Sequence, residues 1–126
     1  MIFKGTKVYY ADNSGGKEMY CIRLFGGSNK KNVNVGEMIK IVVKNLRSKK
    51  KVVKKKMYLA VMVGVKKKTQ RLDGSSIKYH QNRAVLLNEK NKFMGTRVYG
   101  PVSKEIKGGK TNISFRKIIT CSHGTV

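Results

Sequence analysis

Tryptophan is absent, proline occurs once (Pro101), and two cysteines and six carboxylate side chains are all that 126 residues contain of those types. Two cysteines, Cys21 and Cys121, are too few for a disulfide framework. A reducing compartment is expected, with both thiols acting as small buried apolar groups. Together with His80 and His123 they make no metal spacing, because Cys121-Ser-His123 is one short pair and a zinc site needs four clustered ligands. No metal and no cofactor are expected. The carboxylates are equally sparse. Asp12 and Asp73 belong to turns, neither histidine has a carboxylate or nucleophile beside it, and no phosphate-loop or dinucleotide-binding glycine pattern occurs. An enzyme is therefore not expected, a hydrolase or nuclease using Glu37 or Asp73 being the remaining catalytic reading. No run approaches the ~18 apolar residues of a spanning helix; Met57 to Val65 is the longest. The opening Met1-Ile-Phe-Lys-Gly-Thr6 has neither the apolar core of a signal peptide nor an Arg/Ser-rich transit helix. A protein that works where it is made is expected.

What the sequence has is positive charge. Twenty-nine Lys and Arg against six Asp and Glu give +23 at neutral pH and a pI near 10.3, several-fold beyond the ~2–8 usual for a small soluble domain. Such self-repulsion makes sense if a polyanion cancels it, and nucleic acid is the leading candidate. An anionic membrane is second, but no basic amphipathic helix supports it.

The rest of the pattern is short strands. Thirteen glycines punctuate β-branched and aromatic runs. Lys7 to Ala11 reads as a strand ended by the turn Asp12-Asn-Ser-Gly-Gly16. Glu18 to Phe25 follows, with Tyr20, Ile22 and Leu24 alternating onto one face. Met38 to Lys44 is a third strand. Met57 to Val65, nearly all apolar, is a fourth, buried on both sides. It continues as Lys66 to Leu72, turns at Asp73-Gly74 and returns as Ser75 to Tyr79. This is a projecting hairpin whose Asp-Gly predicts a primed two-residue turn with both central residues at positive φ. Ala84 to Leu87 is a fifth strand. Pro101 suits the first position of a short helix, Val102 to Lys107, stopped by Gly108-Gly109. Ile113 to Thr120 is a strand or helix. Short strands with little helix predict a mostly β fold, a small closed barrel of one domain over 1–126.

Thirteen basic residues and no acidic one lie between Glu37 and Asp73. Lys44, Arg47, Lys49, Lys50, Lys51, Lys54, Lys55 and Lys56 form one block, placed on a surface loop that can track phosphates. Lys66, Lys67, Lys68 and Arg71, with Lys78 opposite, form a second on the hairpin. An isolated charge run is usually a solvated loop; two on adjoining elements favour RNA contact. Gly26-Gly27-Ser28 with Lys30 and Lys31 reads equally as a plain turn or as a backbone nest for a phosphate. Lysine dominates arginine, twenty-three to six, which favours backbone and shape recognition over base reading. With no tryptophan and no glycine-aromatic strand signature, structured RNA is a better ligand than a free strand. A nucleic-acid chaperone or architectural protein, binding duplex DNA as tightly as RNA, is the second reading.

In order, the pieces Ala11-Asp-Asn-Ser-Gly15, Met19-Tyr-Cys-Ile22, Gly26-Gly-Ser28, Val35-Gly36, Ala60-Val-Met-Val63, Asp73-Gly74, Asn82, Ala84-Val-Leu86, Gly95-Thr-Arg-Val-Tyr-Gly-Pro-Val102 and Glu105 resemble the universal large-subunit ribosomal protein number fourteen family, over residues 2 to about 119. The resemblance implies a five-stranded barrel with a projecting ribbon and short C-terminal helical turns. It implies a structural constituent of the large subunit that binds large-subunit rRNA, helps bridge to small-subunit rRNA, and packs beside proteins three and nineteen. It further implies a docking point for a ribosome-silencing factor. It places Arg97, in the matching Gly-Thr-Arg segment, among the RNA-binding residues. The chain departs at His80-Gln81, where an acidic pair is usual, and at Thr120 to Val126, where Ser-Leu-Ala-Pro is usual. The preference for Lys, Asn, Ile and Tyr fits an AT-rich genome: a mitochondrial matrix ribosome first, then a plastid, then a bacterial cytoplasm.

Overall fold

A computed structural model describes residues 2–47, 51–108 and 115–126. The strands are β1 (Lys7–Tyr10), β2 (Gly16–Leu24), β3 (Met38–Leu46), β4 (Met57–Gly64), β5 (Thr69–Gln70), β6 (Ser76–Ile77) and β7 (Arg83–Leu87), followed by a 3-10 turn (Lys104–Gly108) and α1 (Arg116–Thr120). Strands β1, β2, β3, β4 and β7 close a barrel in that order, and β5 with β6 forms a separate two-stranded ribbon. Neighbours are antiparallel except at the closure, where β1 runs parallel to β7 through Tyr9 opposite Arg83 and Tyr10 opposite Ala84. Closure leaves no free edge in the main sheet.

The apolar run of β4 is buried on both sides because two cores flank it. Ala60 and Met62 point into the barrel with Val8, Met19, Ile39, Ile41 and Leu86. Val61 and Val63 point outward, beneath Phe93, Val98, Val102, Ile106, Phe115 and Ile118. The segment after β7 thus wraps the barrel's outer face. Fully burying each such side chain contributes about 1.5–3 kcal/mol, so the wrap is part of the stability.

Three expectations need correction. Tyr20, Ile22 and Leu24 do not share a face: a register shift between Cys21 and Arg23 brings Leu24 onto the interior cluster, where Met19 and Cys21 already point, while Tyr20 lies beneath Lys44 with the ammonium 5.4 Å from the ring centroid. Pro101 starts no helix; Val102 pairs with Thr125 instead, and a 3-10 turn begins at Lys104. Of the segment read as strand or helix, Ile113 lies outside the described residues and Arg116–Thr120 is helical, in line with the second reading. Cys121 is only partly buried, whereas Cys21 is in the core and burial pushes its thiol up to about 11.

The hairpin tip also differs. The Gly74 N–H donates to the Arg71 carbonyl at 3.2 Å and the Arg71 N–H to the Ser75 carbonyl at 2.8 Å, giving a three-residue loop of Leu72, Asp73 and Gly74. Gly74 has φ +87°, while Asp73 is not among the positive-φ residues. This is the turn-plus-bulge solution for a three-residue hairpin, not a primed turn. Asp73 is fixed by accepting from the Ser75 N–H (3.0 Å) and hydroxyl (2.6 Å), which holds its carboxyl below the usual range.

Candidate nucleic-acid interface

The basic residues fall at two ends of the barrel. β3 runs antiparallel to β4, so the connection after β3 lies where β4 begins, and the connection before β3 lies where β4 ends. The first end carries Lys44, Arg47, Lys51, Lys54, Lys55 and Lys56; Lys49 and Lys50 lie outside the described residues. The second end carries Lys30, Lys31, Lys66, Lys67 and Lys68, with Lys78 on the far side of the ribbon. Nine residues of near-extended chain lie between Lys56 and Lys66, a span of roughly 30 Å at ~3.3 Å per residue. The two blocks are therefore two surfaces rather than one patch.

The first block is not all loop. β3 extends to Leu46, so Lys44 stands on a strand. Within the lysine run Val52 is buried in the barrel core at 4% exposure. The Lys55 N–H donates to the Val43 carbonyl (3.0 Å), and the Val53 N–H to the Tyr58 hydroxyl (3.1 Å). Lys55 itself has φ +64°. Burying Val52 pins the turn and directs Lys51, Lys54, Lys55 and Lys56 outward, all exposed; Lys56 also sits 5.5 Å from the Tyr58 ring.

At the second end Gly26 and Gly27 have φ +115° and +130°. The two signs are the same, unlike the right–left alternation of a phosphate nest, and the Lys30 N–H points back to the Gly27 carbonyl at 3.5 Å. Lys30 is ion-paired with Glu37 at 3.0 Å; Lys31 and Ser28 are exposed. On the ribbon, Lys66, Lys67, Lys68 and Lys78 are exposed, while Arg71 is engaged within the chain. Its guanidinium donates to both Glu105 carboxylate oxygens at 2.7 and 3.3 Å and to the Val126 carbonyl. Arg71 thereby ties the ribbon to the wrapping segment.

The Arg71 guanidinium beside Glu105 pulls that carboxyl down to about 2, helped by the Ser103 hydroxyl and opposed by desolvation. A carboxyl lowered on folding stabilises the native state fully above its unfolded value of ~4.3 and loses that contribution as pH falls toward 2. Glu105→Gln is therefore expected to flatten the fall of melting temperature between about pH 4.5 and 2, with a deficit that is full at pH 7 and shrinks as the pH falls toward 2. An acid limb as steep as in the parent would show that the pair contributes nothing.

Asp12, Asn13 and Arg83 also build the site through partners distant in sequence, which the local turn signal at residues 12–16 does not show. Asp12, 4% exposed, accepts at one oxygen from the Ser14 N–H (3.3 Å) and hydroxyl (2.7 Å) and at the other from the Leu86 N–H (3.1 Å). Asn13 accepts from the N–H groups of Thr96 (2.9 Å) and Arg97 (3.2 Å) and donates to the Thr96 hydroxyl (2.7 Å). The Arg97 backbone is clamped and its side chain exposed. Gly95 completes the clamp, since a Cβ there would stand 2.8 Å from the Asn13 oxygen. Arg83 donates to the carbonyls of Tyr99 and Pro101 and lies 5.7 Å from the Tyr79 ring centroid. The Asp-Asn-Ser-Gly turn thus locks residues 95–98 to the first end of the barrel.

Two comparisons with known proteins agree with this architecture. The chain is 41% identical over 123 residues to the large ribosomal subunit protein uL14 of Carsonella ruddii (strain PV), covering 98% of both chains. The family described as ribosomal protein L14p/L23e matches residues 1–126. With the clamped turn, the closed barrel and the two basic ends in place, the chain belongs to the ribosomal protein L14p/L23e family and is a structural, non-enzymatic constituent of the large ribosomal subunit.

Proposed function

We propose that the protein binds large-subunit rRNA through both basic ends at once and so fixes two RNA segments relative to one another. The observation that carries this reading is the rigid separation of Lys44–Lys56 from Lys66–Lys68 by the length of β4. Lys51, Lys54, Lys55 and Lys56, with Lys44, Arg47, Lys49 and Lys50, would track one phosphate backbone. Lys66, Lys67, Lys68 and Lys78, with Lys31 and the open Gly26-Gly27-Ser28 turn, would track another. Arg71 and Lys30, held by carboxylates, position these surfaces. Gly74 lets the ribbon end tightly in open solvent.

Through its ribbon or its clamped Arg97 segment the protein would further contribute to a bridge with small-subunit rRNA. Proteins three and nineteen, and a ribosome-silencing factor, are the protein partners of this reading, which the divergent Thr120–Val126 end would tune. The preference for Lys, Asn, Ile and Tyr supports an AT-rich genome and, with it, a mitochondrial matrix ribosome ahead of a plastid or a bacterial cytoplasm. Gradient fractionation of a native lysate tests the proposal: the protein should sediment with the large subunit at moderate salt and with joined ribosomes. Sedimentation free of subunits, or equal affinity for duplex DNA and rRNA, would favour the free architectural protein instead.

A further inference from the structure

The second basic end holds an exposed aromatic ring that the lysine surfaces do not use. Ile2 is fully buried and bridged to Val33. Phe3, the next residue, therefore points away from the core, and its 49% exposure is high for so large an apolar side chain. Its backbone is fixed: the Phe3 N–H donates to the Thr6 hydroxyl at 3.0 Å and the Thr6 N–H to the Phe3 carbonyl at 3.2 Å. The ring lines a cleft of about 700 Å³ shared with Lys4, Arg23, Phe25, the Gly26-Gly27-Ser28 turn and Lys31. No carboxylate lines that cleft, and of its cations only Lys30 is ion-paired among the described residues. A side chain at Gly27 would meet nothing within 4 Å, so the turn lies open to close approach at that residue, while the Lys30 side chain covers Gly26.

We infer that this cleft seats one unpaired RNA nucleotide, its base stacked on Phe3 and its phosphate beside Lys4, Arg23, Lys31 and the glycine turn. A base needs a flat apolar face, and its phosphate needs cations at the rim; the cleft supplies both and has no negative charge to repel it. A membrane would find a single ring with no helix to carry it. An acidic peptide shares the charge argument, and the experiment below separates it. The inference deepens the proposed rRNA binding by adding a single-stranded contact to the structured-RNA contacts of the lysine blocks.

The test titrates the whole protein with a fluorescent ten-residue oligoadenylate and, separately, with a blunt RNA duplex, comparing parent, Phe3→Leu, Phe3→Tyr and Phe3→Ala. Stacking predicts that Leu and Ala weaken the single strand roughly 5- to 100-fold while Tyr retains binding. The salt dependence should be unchanged, because no cation is removed. Duplex affinity and co-sedimentation with the large subunit should persist, since the lysine blocks remain. Parent-like binding of the oligoadenylate by Phe3→Leu would overturn the inference, as would equal losses for strand and duplex. So would a photo-crosslinker at position 3 that labels protein and not RNA in purified large subunits. A parent that fails to sediment with subunits would instead sink the broader rRNA-binding reading.

Discussion

Asp12→Ala is expected to cost about 2–5 kcal/mol, the largest loss from any single carboxylate in this chain. The side chain serves two backbone N–H groups, of Ser14 and Leu86, and both residues are buried. Leaving a buried donor unpaired costs about 1–3 kcal/mol, and against a typical total of 5–15 kcal/mol that is a large share. The melting temperature should fall by roughly 10–20 °C. Asp12→Asn should recover little, because its single oxygen can replace only one of two accepting oxygens, and the amide then faces an N–H. Burial raises the Asp12 carboxyl while the hydrogen bonds from Ser14 and Leu86 draw it back. With its folded value above the unfolded one, this group favours the native state as pH falls, opposite in sign to Glu105. A loss below about 0.5 kcal/mol in denaturant unfolding would mean that the two N–H groups find other acceptors.

Neutralising the first basic end should change binding as much as Asp12→Ala changes stability. Replacing Lys49, Lys50, Lys51, Lys54, Lys55 and Lys56 together with glutamine, and leaving Val52 in place, should weaken RNA of every sequence alike. If about five of these lysines meet phosphates, the slope of log K against log salt should fall by roughly 3–5 units. The fold should persist, since the described lysines of this set are exposed and Val52 keeps its anchor. An unchanged slope would assign this end to protein partners or to solvent.

The barrel was legible because its information is local. Alternation, glycine turns and one doubly apolar strand state where strands begin and which are buried. What was not legible depends on distant pairs or on single residues against the grain. Asp12 and Asn13 read as an ordinary turn, because Leu86 and Thr96, their partners, lie 74 and 83 residues away. Val52 was hidden by the lysines around it, although a β-branched pair inside a charge run is a signal for an anchor. Phe3 carries no sequence signal, because one aromatic makes no strand signature. The Asp-Gly tip suggested a two-residue turn, but Leu72 and the Arg71–Ser75 hydrogen bond lengthen the loop by one. The sequence puts the two basic blocks on adjoining elements; that they occupy opposite ends follows only from the antiparallel register of β3 and β4.

The parallel pairing of β1 with β7 has a consequence for synthesis. Tyr9 cannot meet Arg83, nor Tyr10 meet Ala84, until the chain past Leu87 has left the translating ribosome. Roughly forty residues separate the end of β3 from the end of β7, on the order of 2–8 s of elongation. In the first part of that interval, until β4 (Met57–Gly64) emerges and pairs with β3, β1, β2 and β3 can form a curled sheet with unpaired edges, the situation in which nascent strands associate with one another. Lys40 and Lys44 stand on β3, beside that temporary edge. Positive charge at such a place repels a second unfinished chain. The lysines therefore have work to do before any RNA is met, as guards of a cylinder that cannot close until its last stave arrives.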